Sequence, residues 1–355
     1  MDITPFEHGL PPFSATGIGS VPFLSAEEAC QEVLAHKKMI PFWPQLVQKN
    51  PREDMILQYS PPLPFLVPDY QGKKLNYCPG ENRADLLLGF YEKYLASDLS
   101  YFSLRPDFAE GFYRMLNLLV QERPQPLFLK GQIVGPVTFG LSVRLSPDRF
   151  LIHDPELMDA VIKSLAMEAV FQVRQFEKLT PNSIIFLDEP SLSGYGSAFT
   201  PLSKDEVVRI LGETIGLIRE QVRTRIGLHC CGNTDWSLLL SLDLDIINLD
   251  AFEFGPLFLL YPEEIKRFLN RDKTIAWGIV PTTGFTGEET APGLLDRLNE
   301  YFETLIGKGA DRRRIYTQAL LTPACGMGTL SEETARRLLH LLEETSRMAG
   351  ERFRV

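Results

Sequence analysis

The feature that most constrains this chain is a regular alternation of short apolar segments with longer amphipathic ones. The short segments have the apolar runs of buried strands, and the longer ones carry apolar residues at helical spacing. Such alternation is typical of α/β folds built on a parallel sheet. Eight strands are predicted, at Thr16–Val21, Ile40–Leu46, Leu127–Val134, Ser183–Asp188, Arg225–Cys230, Ile246–Leu249, Thr274–Val280 and Ile315–Leu321.

Helices are predicted between these strands. Ser25 is a good N-cap for the first helix, and Pro155 stands in the first turn of a long one, where proline is favoured. The predicted helices are Ala26–Lys37, Arg83–Ala96, Asp107–Gln121, Pro155–Lys178, Leu202–Val222, Trp236–Leu240, Pro262–Leu269, Pro292–Gly307 and Ser331–Met348. Eight strands alternating with helices predict an α/β fold of the single (β/α)8 TIM-barrel type, with an extra N-terminal loop and helices.

The domain organisation follows from the length of 355 residues, which a single barrel reaches. We expect one domain over residues 1–355, with a barrel core at about 14–347. Residues 50–81 are rich in proline and polar side chains, and are predicted to form a long loop over the barrel mouth. No Gly-x-Gly-x-x-Gly motif follows the first strand, which argues against a doubly wound sheet.

Charge and cysteine usage narrow the partners and the compartment. The net charge is −10 and no basic stripe is present, so no nucleic-acid partner is expected. No run of eighteen apolar residues appears and the N-terminus lacks a secretory apolar region, so no membrane partner is expected. Five cysteines, an odd number, argue against a disulfide framework. We therefore expect a cytoplasmic protein whose cysteines bind metal or react.

Polar residues cluster where the predicted strands end, which is where barrel enzymes place their active sites. His229 and Cys231 end the fifth strand, Glu253 follows the sixth and Cys325 follows the eighth. Alternation along a strand directs His229 and Cys231 to the same side and Cys230 away from it. Imidazole, thiolate and carboxylate together suit tetrahedral zinc, and the thiolates argue against magnesium and calcium. Spacing supports His229, Cys231 and Cys325 more strongly than Glu253.

Two thiolate ligands also indicate what the metal is for. A thiol bound to zinc loses its proton near neutral pH and stays nucleophilic. Hydrolytic zinc sites favour histidine and carboxylate ligands, which leave the metal acidic enough to ionise water. The ligand set therefore favours alkylation of a thiol over hydrolysis.

These residues resemble the catalytic barrel of cobalamin-independent methionine synthase, within the superfamily of uroporphyrinogen decarboxylase. The family's zinc ligands, a His-x-Cys pair, a later Glu and a distant Cys, fall on His229, Cys231, Glu253 and Cys325. Further matches are the motifs Ile18-Gly19-Ser20, Gly135-Pro136-Val137-Thr138 and Asp188-Glu189-Pro190. The resemblance covers roughly residues 14–347. It implies a zinc-dependent methyltransferase that converts homocysteine to methionine.

The resemblance also implies which residues hold homocysteine. Its amino group would be held by Asp188, and its carboxylate by Ser20 with the neighbouring backbone of Ile18 and Gly19. Glu189 would contact substrate or support a residue that does. An amino-acid zwitterion needs such a pairing of one carboxylate with hydroxyl and N–H donors.

Two departures from the family concern the methyl donor. The full synthase has a second, N-terminal barrel that helps to hold folate, and this chain has no room for it. The family's histidine after the seventh strand, which protonates the folate leaving group, is absent from Trp277–Thr283. A methyl–cobalt donor needs no such acid. We therefore expect the donor to be a methylcorrinoid or a corrinoid protein, not folate.

Three alternatives stay open. One is a zinc methyltransferase for another thiol, such as coenzyme M. Another is a metal-free enzyme similar to uroporphyrinogen decarboxylase, which would grip substrate carboxylates with arginines. The third is a non-catalytic binding barrel. The arginine candidates for the decarboxylase-like enzyme are Arg52, Arg83, Arg105 and Arg144.

The aromatic residues of Phe42–Gln45 and Tyr59–Tyr77 fit either packing with a lid or a platform for a corrin ring.

Overall fold

The computed structural model describes residues 9–354 except 79–81, 122–124 and 196–201. The helices in this part of the chain are α1 (Ala26–Ala35), α2 (Arg83–Leu95), α3 (Glu110–Gln121), α4 (Pro136–Ser142), α5 (Pro155–Phe176), α6 (Lys204–Gln221), α7 (Trp236–Ser241), α8 (Ala251–Phe258), α9 (Pro262–Asn270), α10 (Ala291–Gly307), α11 (Arg312–Thr317) and α12 (Glu332–Arg352). None of these helices is both long enough and apolar enough to cross a bilayer.

The strands are β1 (Leu66–Asp69), β2 (Lys74–Tyr77), β3 (Leu129–Val134), β4 (Arg144–Ser146), β5 (Arg149–Phe150), β6 (Ser183–Asp188), β7 (Arg225–Cys230), β8 (Ile246–Asp250), β9 (Thr274–Val280) and β10 (Ala319–Pro323). Six of them form a curled parallel sheet in the order β10-β9-β8-β7-β6-β3. Their nearly continuous burial reflects helices packed on the sheet, as parallel sheets require. Their carboxyl ends all lie at one edge.

The predicted strands at Ser183–Asp188, Arg225–Cys230 and Thr274–Val280 are confirmed to the residue. The prediction of the last strand at Ile315–Leu321 was wrong by about one turn of helix. Asp311 accepts a hydrogen bond from the Arg314 backbone N–H and caps helix α11, so the strand begins only at Ala319. The sequence pattern alone did not predict this cap.

The first two predicted strands, Thr16–Val21 and Ile40–Leu46, are not regular strands. They are extended segments joined by isolated parallel bridges, at Ala15 to Met39 and at Ser20 to Gln45. The same segments bridge to both edges of the sheet, Ala15 to Leu321 of β10 and Phe42 to Lys130 of β3. Pro41 and Pro44 lack the N–H groups that a regular ladder requires. The architecture is therefore a six-stranded half-barrel sheet with two bridging segments, where eight strands were predicted.

Residues 50–81 were predicted to be a loop, and the described part of them is more ordered than that. It contains 3-10 turns at Pro51–Glu53 and Leu57–Tyr59, followed by the β1–β2 hairpin. The hairpin belongs to a small second sheet of order β1-β2-β4-β5. Residues 79–81 lie outside the described residues. Alternating exposure in β2 shows one face packed and one face solvated, as expected for a small surface sheet.

Helix α3 packs very closely on the second bridging segment, next to residues that lead to the carboxyl edge of the sheet. A Cβ atom added at Gly111 would lie 1.9 Å from the Pro44 carbonyl oxygen. The backbone carbonyl of Gly111 also accepts the Cys30 thiol of α1 at 3.4 Å. Glycine at position 111 therefore allows α1, α3 and the segment around Pro44 to meet.

We expect Gly111→Ala to destabilise the protein by about 1–3 kcal/mol, as an added methyl group does in a packed interior. Gly89→Ala is the matched control, because this glycine is also helical but has open space around its Cβ position. That control should raise the free energy of unfolding by roughly 0.5–1 kcal/mol. Urea unfolding measures both. Equal stability of the two variants would contradict the close packing of α3.

Candidate metal centre

Three of the predicted ligands meet at the carboxyl edge of the sheet. His229 lies near the end of β7, Cys231 follows that strand and Cys325 follows β10. One ligand atom from each lies within 4.8 Å of those of the other two. Cys230 is fully buried and lies outside this group. One imidazole and two thiols at this spacing suit a tetrahedral zinc ion.

The orientation of His229 is set by Asn248 on the neighbouring strand β8. The Asn248 side-chain NH₂ donates to the Ala276 carbonyl oxygen and to the Thr322 hydroxyl, both at 2.8 Å. Its oxygen therefore faces the His229 ring, and Nδ1, 2.5 Å away, must be the donor. Nε2 keeps its lone pair and is buried without a hydrogen-bond partner among the described residues. This arrangement is typical of a metal-binding histidine.

The two thiols and the imidazole compete for protons. A hydrogen bond with Cys325 lowers the pKa of Cys231, and the same contact, together with burial, raises the pKa of Cys325. Burial lowers the pKa of His229, but the interactions with Cys325, Asp188 and Asn248 together raise it above its ordinary value. Thiols beside an imidazole lose their protons readily to a divalent cation, so such a cation fits this cluster.

Glu253, the fourth predicted ligand, is not brought into this group. It is exposed in the first turn of α8, and its backbone N–H donates to Asp250 Oδ1 at 2.8 Å. Asp250 caps α8 immediately after strand β8, so the chain turns into a helix before it reaches Glu253. This helix, Ala251–Phe258, was not among the predicted helices.

The three ligands line a cavity of about 400 Å³ at this edge of the sheet. Ile18, Ser20 and Asp188, predicted to bind substrate, line the same cavity. Gly19 and Glu189 are not among its lining residues. Asp54, Met55 and Lys73, from the segment predicted to lie over the mouth, also line the cavity. The other lining residues are Gln45, Val47, Pro190, Thr282, Thr283, Gly326, Gly328 and Thr329.

Asp188, at the end of β6, is a carboxylate in an apolar setting. Burial raises the pKa of Asp188 to about 6, against the attraction of Lys130 and His229. Its Oδ1 atom is buried and has no hydrogen-bond partner within the described part of the chain. A buried acceptor without a partner is costly unless a ligand satisfies it. Asp188 is therefore available to bind a cationic group in the cavity.

Lys130 is a charged residue that the sequence analysis missed. It is fully buried on β3, where its Nζ atom donates to the Ile18 carbonyl oxygen and, at 3.3 Å, to Gln132 Oε1. Burial lowers the pKa of Lys130 to about 8. The available signal was a lysine within the largely apolar predicted strand Leu127–Val134, because lysine is almost never fully buried without a polar role.

Glu189 holds helix α4 in place beside the cavity. Its carboxylate accepts hydrogen bonds from the N–H groups of Val137 and Thr138, at 2.9 and 2.7 Å, and from the Thr138 hydroxyl at 2.6 Å. Burial nevertheless raises the pKa of Glu189 to about 7. A side chain at Gly135 would collide with Glu189, at 2.1 Å from its Cδ. The Gly-Pro-Val-Thr and Asp-Glu-Pro motifs are therefore two halves of one helix cap.

The arginines that a decarboxylase would use do not line this cavity in the described structure. Arg52 pairs with Asp107 at 2.7 Å, and Arg83 pairs with Asp154 at the same distance. Arg144 donates to the Pro147 carbonyl oxygen. The contacts of Arg52 and Arg144 are exposed, and the Arg83–Asp154 pair is partly buried.

Comparison with known proteins adds the fold relationship. No protein-family model and no curated protein sequence matches the chain. A B12-independent methionine synthase from Shewanella sp. W3-18-1, in complex with selenomethionine, has a TM-score of 0.58 and 16% identity, over 97% of this chain and 98% of that one. A methyltransferase from Methanosarcina mazei has a TM-score of 0.54 and 12% identity, over 95% of both chains. The expected resemblance to methionine synthase-like proteins is confirmed at the level of the fold.

We expect Asn248→Ala to weaken zinc binding by about 10–100-fold, since it removes the group that orients His229. Asn182→Ala is the matched control, because Asn182 is an equally buried amide that bonds the Leu127 carbonyl oxygen instead. Competition with a chromophoric chelator measures both affinities. Unchanged affinity in Asn248→Ala, or an equal loss in the control, would show that Asn248 does not support a metal ligand.

Proposed function

We propose that this protein is a zinc-dependent methyltransferase that transfers a methyl group to the thiol of homocysteine and forms methionine. The observation that carries the proposal is the meeting of His229, Cys231 and Cys325 in a cavity beside Asp188. Three protein ligands leave one position of a tetrahedral zinc ion for a substrate. The similarity of fold to a methionine synthase and a methyltransferase supports the same assignment.

We also propose that the chain forms a single (β/α)8 barrel domain. The bridges at Ala15 and Phe42 link the two edges of the six-stranded sheet, as the missing two strands of a (β/α)8 barrel would. A single barrel domain over about residues 14–347, with residues 50–81 beside its mouth, is consistent with this. Asp54, Met55 and Lys73 of that segment line the cavity.

The donor set fits zinc. His229 presents a buried nitrogen without a hydrogen-bond partner in the described structure, and Cys231 and Cys325 supply soft thiolates. Zinc, when bound, lowers the pKa of a coordinated thiol so that it ionises near neutral pH. The substrate sulfur then forms a bond to the methyl carbon while the bond from methyl to donor breaks, and the donor keeps the electron pair. The remaining task of the protein is to position the substrate.

Asp188 is proposed to bind the ammonium group of homocysteine. Its unpartnered Oδ1 and its place next to the ligands suit a cationic group close to the reacting sulfur. Ser20 lines the same cavity and is proposed to donate its hydroxyl to the substrate carboxylate. Gly326, the residue after Cys325, leaves room for this hydroxyl, since a Cβ there would lie 2.2 Å from Ser20 Oγ. Coenzyme M, a thiol without an amino group, would leave Asp188 without a partner.

The donor is proposed to be a methylcorrinoid, free or on a corrinoid protein. The support is the absence of a histidine between Trp277 and Thr283, and the presence of Thr282 and Thr283 in the cavity wall. A threonine hydroxyl is too weak an acid to protonate an amine leaving group near neutral pH. A reduced cobalt centre leaves without needing a proton.

Cys325→Ala should weaken zinc binding by more than about 100-fold, beyond the loss typical of supporting residues. Cys230→Ala is the control, as the adjacent thiol lies outside the ligand group. Glu253→Gln in the same titration tests whether Glu253 is a fourth zinc ligand. A loss of zinc affinity would support that role, and an unchanged affinity would contradict it. Wild-type protein that binds no zinc would overturn the metal assignment.

Zinc-loaded protein with homocysteine should form methionine from methylcobalamin and not from 5-methyltetrahydrofolate. Mass spectrometry of the product measures this, with Cys325→Ala as the inactive control. Methionine from folate alone would contradict the donor assignment and leave the methyltransferase assignment intact. Absence of thiol methylation with both donors, in protein that holds zinc, would contradict the function.

Asp188→Asn should raise the KM for homocysteine by roughly 10–100-fold, from the loss of a charged hydrogen bond. The wild type should discriminate strongly against 4-mercaptobutanoate, which lacks the amino group, and the variant should lose this discrimination. Zinc content, measured beside KM, separates a substrate effect from an effect on His229. If discrimination is the same in both proteins, Asp188 does not bind the amino group.

A further inference from the structure

A second group of metal-ligating side chains lies where the first helix meets the last one. Glu32 and His36 stand at the end of α1, and His340 stands on α12. One ligand atom from each lies within 4.8 Å of those of the other two. His36 lines a separate cavity with Phe128, the residue before β3, so this group lies at the opposite edge of the sheet from His229.

We propose that His36, His340 and Glu32 form a second site for a divalent transition-metal ion such as zinc, with Glu343 orienting His36. The site would tie α1 to α12, two helices from opposite ends of the described chain. The proposal is independent of the methyltransferase assignment, because it uses none of the residues of the first site.

The orientation of His36 supports the proposal. Its ring is 2% exposed, and Nδ1 lies 2.9 Å from Glu343 Oε2. An ionised carboxylate can only accept, so Nδ1 is the donor and Nε2 of the neutral ring carries the lone pair. Glu343 is itself held by the Lys38 backbone N–H at 3.4 Å. A carboxylate that fixes the tautomer of a histidine is the usual support for a metal ligand.

The Nε2 atom of His36 belongs to the group of ligand atoms and has no hydrogen-bond partner among the described residues. It lies 3.4 Å from Glu32 Oε1 but makes no hydrogen bond within the described residues, although the atom is fully buried. A nitrogen lone pair facing a carboxylate oxygen is repulsive unless a cation lies between them. The His340 ring, with its centroid 4.8 Å away in an edge-on arrangement, brings a second imidazole to the same place.

The surrounding charges are net negative, which suits a bound cation. Glu32 and Glu343 contribute two negative charges, and Arg336 neutralises one through its contact with the other oxygen of Glu32. Arg336 also reaches Glu28 and Glu332, at 3.9 and 3.8 Å, so its charge is shared. Two imidazoles and one carboxylate select zinc, nickel or cobalt over magnesium and calcium. His340 is exposed, which provides a route for the ion and for a water ligand.

The test uses Cys231→Ala/Cys325→Ala protein, in which the first site has lost both thiols. This protein should bind about one zinc ion per chain, and adding His340→Ala should abolish that binding. His153→Ala is the matched control, since this histidine lies outside the group. Cobalt(II) should give weak visible bands without the strong near-ultraviolet absorption of thiolate ligands. Zinc should raise the Tm of the double variant and not that of the triple variant.

Glu343→Gln, a variant outside the ligand set, should weaken zinc binding in the same background by about 10–100-fold. No zinc binding by Cys231→Ala/Cys325→Ala protein that remains folded would overturn the proposal. Equal zinc affinity with and without His340→Ala would overturn it as well, and would assign the metal to a surface site elsewhere. If His36 and Glu32 share a proton instead of a metal ion, the Cys231→Ala/Cys325→Ala protein should bind no zinc.

Discussion

The candidate site depends on one buried amide. Asn248 of β8 receives the His229 ring of β7 on its oxygen, while its NH₂ donates to Ala276 of β9 and Thr322 of β10. Four neighbouring strands are thus tied together by one side chain that is 0% exposed. Because each partner is fixed by the sheet, His229 has only one favourable tautomer, and its free nitrogen is directed to the thiols.

A second set of buried polar contacts builds the other side of the cavity. Lys130 of β3 donates to the Ile18 carbonyl oxygen and attracts the Asp188 carboxylate. Glu189 caps α4 through Val137 and Thr138. Opposite charges and N–H donors replace part of the water around these groups, although burial still shifts the pKa of Lys130, Asp188 and Glu189 towards the neutral form. The cavity therefore has the imidazole and the two thiols in its lining together with the carboxylate of Asp188.

Elements that a local residue pattern specifies were predicted correctly, whereas features that depend on contacts between distant residues were not. Apolar runs located the central strands, since burial on both faces requires them. The helix Arg312–Thr317 and the helix that carries Glu253 were missed, because each begins at an aspartate cap that pattern alone does not reveal. Prolines 41 and 44 turned a predicted strand into a bridging segment. Lys130 was overlooked because its role depends on partners distant in sequence.

The sequence by itself determined the alternation of strands and helices, the His-x-Cys pair at a strand end and the chemical preference of the ligands for zinc. These follow from residue type and from the two-residue period of a strand. Only the tertiary structure brought Cys325 together with His229 and Cys231, placed Glu253 in the first turn of α8, and made Glu189 the cap of a helix instead of a lining residue of the cavity. The same holds for the pairing of His36 with His340. Such assignments depend on how separate elements pack, which involves distances that no local pattern encodes.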